Sequence, residues 1–217
     1  MANTSNARRP LKTRGRRWAQ ALARGLANRG VSPNGISIAS LGFAALGTVA
    51  LLAAPAAGPG AQAALFLLAA GCVQLRLLCN LLDGMVAVEG GLGSASGPLY
   101  NELPDRIADP LFLVPAGYAT GLALGPELGW LAGVLALITA YIRTLGASLG
   151  LSQDFRGPMA KPHRMAALTA GLLAAALAVP FGWEGYVLAL ALAVIVLGSG
   201  WTALRRTATL IRGLNAR

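Results

Sequence analysis

Apolar stretches about as long as the roughly 20 residues that a helix needs to cross a bilayer recur six times along this chain, at about 34–57, 62–88, 98–122, 129–149, 165–181 and 185–210. Read as spans, these runs make the expected fold an all-α integral membrane protein with six transmembrane helices. Composition agrees: of 217 residues, 55% are hydrophobic and 12% charged, about half the charge of an ordinary soluble domain. Cys72 and Cys79 fall in one apolar run, separated by about 10 Å of helical rise, and cannot bridge each other there. With one histidine, His163, a zinc centre lacks ligands, so any metal must be held by oxygen.

The charge is uneven. Eight of the eighteen Lys and Arg residues lie between Arg8 and Arg29. Over residues 14–29, Trp18, Leu22 and Leu26 form an i, i+4, i+8 stripe with arginines mainly off it, the pattern of an interfacial amphipathic helix on anionic lipid. A basic segment directly before a span reads as lipid contact and orientation signal, so no nucleic-acid partner is expected. With the N-terminus inside, the outer loops near 58–61, 123–128 and 182–184 contain no Lys or Arg, while the 151–164 loop and the C-terminal tail are basic. The positive-inside rule then places both termini in the cytoplasm of an inner-membrane, multi-pass protein. The expected division is a basic arm with its interfacial helix over 1–30 and a six-helix membrane domain over 31–217.

An ionisable residue inside a span costs about 2.5–3.5 kcal/mol on insertion scales and marks a functional site by default. Here the set is Arg76, Asp83, Glu102, Asp105, Arg106, Asp109 and Arg143. Asn80, Asp83, Gly84 and Ala87 share one face of the second span, and Gly97, Asn101, Asp105 and Asp109 one face of the third. The short 88–97 turn joins the two spans at the cytoplasmic side, so these small and polar faces oppose each other. Small residues permit close approach, and facing oxygen donors suit Mg²⁺ or Mn²⁺. Structural pairing is the alternative: Asp83 with Arg76, and Asp109 with Arg106 or Arg143.

The string Asn80-x2-Asp83-Gly84-x2-Ala87-Val88-x8-Gly97-x3-Asn101-x3-Asp105 resembles the signature D-x2-D-G-x2-A-R-x8-G-x3-D-x3-D of the CDP-alcohol phosphotransferases, matching its spacing throughout. Pro33-Asn34 before the first span, Tyr141-x-Arg143 late in the fourth, and Gly157, Lys161 and Arg164 before the fifth extend the resemblance over most of the chain. It implies a membrane enzyme of phospholipid synthesis that moves a phosphatidyl group from a CDP-lipid such as CDP-diacylglycerol to a small alcohol, releasing CMP at a site facing the cytoplasm. It further implies one or two divalent cations held by Asp83, Asp105, Asn80 and Asn101, with Asp105 also the base on the attacking hydroxyl. Asn34, Gly84, Ala87 and Gly97 would accommodate the nucleotide, Arg143, Lys161 and Arg164 the acceptor or a phosphate, and a homodimer is implied as well.

The chain departs from the signature at three positions: Asn80 and Asn101 replace aspartates, and Val88 replaces the arginine. An amide offers a carbonyl oxygen to a hard cation but no charge, so metal affinity falls. Asp109 repeats the x3 spacing after Asp105 and is an alternative ligand. The substitutions also open a second reading, a catalytically impaired family member that binds a CDP-lipid or nucleotide as the partner of another enzyme.

Overall fold

The computed structural model describes residues 17–217; the expected basic arm before Arg17, with Arg14 and Arg16 of the amphipathic stretch, lies outside the described residues. Seven α-helices follow in order: α1 (Arg17–Asn28), α2 (Pro33–Ala53), α3 (Pro59–Glu89), α4 (Gly97–Tyr118), α5 (Gly125–Ser148), α6 (Lys161–Ala178) and α7 (Glu184–Asn215). Short 3₁₀ turns extend α2 over Ala54–Ala56 and α6 over Val179–Phe181. Helices α2 to α6 each carry Pro in the first two positions, where its missing N–H costs nothing. At α2 the Ser32 hydroxyl adds a cap, accepting from the Gly35 N–H at 3.1 Å. Gly150, at φ +78°, ends α5 with the Gly146 carbonyl accepting from the Leu151 N–H at 2.9 Å, a left-handed termination that glycine supplies without strain.

Five helices, α2, α3, α5, α6 and α7, are long and apolar enough to cross a membrane. The remaining long helix, α4, has 22 residues but carries Glu102, Asp105, Arg106 and Asp109, so hydropathy alone does not mark it as a span. The six long helices pack in cyclic order α3, α2, α4, α5, α7, α6 and back to α3, with α1 laid against α3. Their shared core includes Leu51, Phe66, Phe112, Leu172 and Ile195.

Close approach is built into this ring. A Cβ on Gly117 of α4 would sit 2.4 Å from the Gly125 carbonyl oxygen and 2.8 Å from the Gly129 Cα of α5, so the two backbones touch. Three prolines, Pro104, Pro110 and Pro115, lie inside α4, and each removes an N–H that would bond four residues back. The carbonyl freed by Pro115 is that of Leu111, and the Thr48 hydroxyl of α2 donates to it. The proline thereby creates an acceptor that fastens α4 to α2.

In α1 the residues packed inward are Ala19 and Ala23, against Leu81, Leu82, Met85 and Val86 of α3. Trp18 and Leu22 of the expected stripe are 50% and 41% exposed. The small face meets protein, Leu26 is partly buried against the same cluster, and Trp18 and Leu22 are left to the outside.

Candidate functional site

Helices α3 and α4 bring their polar faces to a cavity of about 750 Å³. Asn80, Asp83, Gly84 and Ala87 of α3 line it, as do Gly97, Asn101 and Asp105 of α4 and Asn34 of α2. Arg143 of α5 and Lys161 and Arg164 of α6 complete the opposite wall. Of the candidate residues read from the sequence, Arg76 and Asp109 do not line it. Asp109 is 1% exposed, behind Asp105.

Asp83 is not paired with Arg76. Seven residues of helix separate them by about 10 Å, and the carboxylates of α4 are nearer to the guanidinium. Asp83 instead accepts from the Ser37 hydroxyl at 2.6 Å and from the Gly84 N–H. Arg76, fully buried, donates through one nitrogen to Asp105 Oδ1 at 2.9 Å and Asp109 Oδ1 at 3.1 Å. The second oxygen of Asp109 accepts from Arg164, and that of Asp105 from the Lys161 ammonium. Neither Arg106 nor Arg143 is the partner of Asp109: both grip Glu102, Arg143 at 2.7 Å.

Arg164, Asp109, Arg76, Asp105 and Lys161 therefore alternate in charge across α6, α4 and α3. Lys161 and Arg164 both lie in the first turn of α6, so the chain of ion pairs closes on itself. Breaking a buried pair by deleting one partner costs about 3–5 kcal/mol. Arg76→Leu leaves two facing carboxylates without their shared cation, and a fall in the detergent thermal-unfolding midpoint larger than that of Leu77→Ala is expected; an equal or smaller fall removes the ring from the stability argument.

Arg143 is further fixed by donating to Gln153 at 2.6 Å and stacking 5.1 Å from the Phe155 ring centroid. Gln153 and Phe155 belong to the 149–160 connection. In that connection burial opposes ionisation of Asp154, but the side chain and N–H of Arg156 hold its carboxyl below the ordinary range. Gly157, at φ +137°, packs against Thr202 with no room for a Cβ, and the Met159 N–H donates to the Thr202 hydroxyl at 3.0 Å. These contacts tie the connection to α7 immediately before Lys161. Ser37, Gln153 and Phe155 were not legible in the sequence as site residues, because their roles depend on contacts between separate elements.

The donor set does not fit a firmly held divalent cation. Asp105 has Arg76 and the Asn80 amide on one oxygen and Lys161 on the other. Asn80 turns its NH₂ group, not its carbonyl, toward Asp105. Among the described residues no group of three or more His, Cys, Asp or Glu is arranged to hold a metal. The sequence-based expectation of one or two cations on Asp83, Asp105, Asn80 and Asn101 thus meets an arrangement in which protein cations already occupy Asp105.

No family model and no curated protein matches this chain. Solved structures do. The phosphatidylinositol phosphate synthase of Mycobacterium tuberculosis with CDP-DAG bound superposes with a TM-score of 0.73, at 23% identity over 90% of this chain and 94% of that one. The chain shares the fold of this synthase. The same protein in complex with manganese and citrate gives a TM-score of 0.71 at 22% identity over 88% of each chain. Its apo form gives 0.64 at 23% over 88% of this chain and 94% of that one. At these identities the likeness is one of fold.

Proposed function

We propose that this chain is a multi-pass membrane transferase of the CDP-alcohol phosphotransferase type, moving a phosphatidyl group from a CDP-lipid to an alcohol with release of CMP. The observation that carries the reading is a cavity in which the carboxylates of α3 and α4 face the cations of α5 and α6. The shared fold supports it, since the neighbouring synthase has been solved with CDP-DAG bound. In this reading α4 is the sixth span, residues 31–217 form the membrane domain, both termini are cytoplasmic and the cavity opens to the cytoplasm of a homodimeric inner-membrane protein.

The reaction asks two things of the site: neutralisation of the diphosphate as CMP leaves, and acceptance of the alcohol's proton. Arg143, Lys161 and Arg164 meet the first. Asp105 is assigned the second. Its Oδ2 accepts from Lys161, and a phosphate competing for that ammonium frees the oxygen to take the hydroxyl proton. Asn34, Gly84, Ala87 and Gly97 leave space for the nucleotide.

A second reading, binding of a CDP-lipid without turnover, is favoured by one observation: Asn80 and Asn101 stand in the string, and Asp105 is already fully engaged. The deciding experiment measures CMP release from CDP-diacylglycerol by the detergent-solubilised protein with a panel of small alcohols, beside Asp83→Ala. Alcohol-dependent release lost in the variant is the expected result. CDP-lipid binding with no release for any acceptor gives the second reading, and absence of both overturns the proposal.

A further inference from the structure

We propose that Lys161 is a built-in cation of this site, so that the cavity takes its diphosphate ligand without a divalent metal ion. The inference rests on the CDP-lipid reading above and concerns how the charge of that ligand is met. Three observations converge on it.

The first is the donor set. Of the four positions expected to carry charge toward a metal, two are amides, and one of the two remaining carboxylates, Asp105, is spanned by Arg76 and Lys161. An ammonium is a compact, strongly hydrated point charge with three donors. In this structure one donor is engaged with Asp105, and two more can meet a phosphate that then draws the ammonium off the carboxylate.

The second is the charge of the lining. Five cationic side chains, Arg106, Arg143, Lys161, Arg164 and Arg206, stand against three carboxylates, Asp83, Glu102 and Asp105. A diphosphate diester carries two negative charges, so protein and ligand balance without further cations. A divalent ion would add excess positive charge to a site that has none to spare.

The third is the position of Lys161. It opens α6, with Arg164 in the same turn and no acidic residue there. A helix N-terminus is itself partially positive and disfavours cations. Two cations held at that end need anions from outside the helix. Asp105 and Asp109 supply two but share them with Arg76, and a bound phosphate beside Lys161 supplies the third.

The test uses the purified full chain in detergent, with Mn²⁺ binding followed by electron paramagnetic resonance and CDP-diacylglycerol binding followed by calorimetry, in Mn²⁺ and in EDTA. The expected result is no stoichiometric Mn²⁺ in the wild type, lipid affinity equal in the two conditions within about twofold, and a loss of about tenfold or more in Lys161→Ala. The triple variant Asn80→Asp, Asn101→Asp, Lys161→Ala should restore the anionic set and bind Mn²⁺. Stoichiometric Mn²⁺ in the wild type that disappears in Asp83→Ala overturns the inference, as does lipid binding that EDTA weakens about tenfold or more; both leave the CDP-lipid reading standing. Lipid that fails to bind in either condition removes that reading and the inference together. Should the triple variant not remain monodisperse, the wild-type arms decide.

Discussion

Asp105→Asn is expected to lower alcohol-dependent CMP release by about a hundredfold or more, the range that loss of a general base produces. The exchange keeps the side chain's size and still offers an oxygen to Arg76, but it removes the charge that accepts a proton. It also releases Lys161, which now faces only the ligand. CDP-lipid affinity should therefore hold or rise while turnover falls, a split that simple unfolding cannot produce. The check is a single preparation, shown monodisperse, measured for both quantities. Unchanged turnover would move the proton-accepting role to Asp83, whose oxygens are bonded by Ser37 and the Gly84 N–H.

Gly117→Val is expected to have the largest effect on stability. The new Cβ alone would lie 2.4 Å from the Gly125 carbonyl oxygen and 2.8 Å from the Gly129 Cα, and these are backbone atoms that no rotamer change can move aside. Helices α4 and α5 must separate. In the membrane, helix association depends on such small-residue contacts, so the loss spreads along the interface to the Glu102–Arg143 pair at its other end. Little or no monodisperse protein is expected, against near-normal yield for Gly71→Ala, where a Cβ meets nothing within 4 Å. Equal yields would show that the interface adjusts.

How much of this was legible in the sequence differs by level. Helix class and the pairing of polar faces across α3 and α4 followed from spacing alone, because 3.6-residue periodicity fixes which residues share a face. The partners of the charges did not follow. For Arg76 spacing offered, as the structural alternative, only Asp83 on its own helix, whereas the partners, Asp105 and Asp109, come from α4. Charges seek the nearest opposite charge in space, and that distance depends on how helices are set against each other. The same limit hid Ser37, which reaches Asp83 from α2, and Phe155, which lies in an irregular connection without periodicity. Pro104, Pro110 and Pro115 free the carbonyls of Tyr100, Arg106 and Leu111, and it is the last that another helix takes up, a contact that spacing within α4 cannot show.

The closed run of ion pairs also governs how the chain can be assembled. In the proposed reading, in which α4 is a span, it would alone bring Glu102, Asp105, Arg106 and Asp109 into lipid, at up to about 2.5–3.5 kcal/mol each toward the helix centre. Its counter-charges are made at different times during synthesis: Arg76 comes before it on α3, while Arg143, Lys161 and Arg164 come after it on α5 and α6. In that reading the nascent α4 finds one counter-charge already made on α3 and the others only once α5 and α6 have followed, so the bundle's most charged helix is the one whose partners are divided between earlier and later parts of the chain.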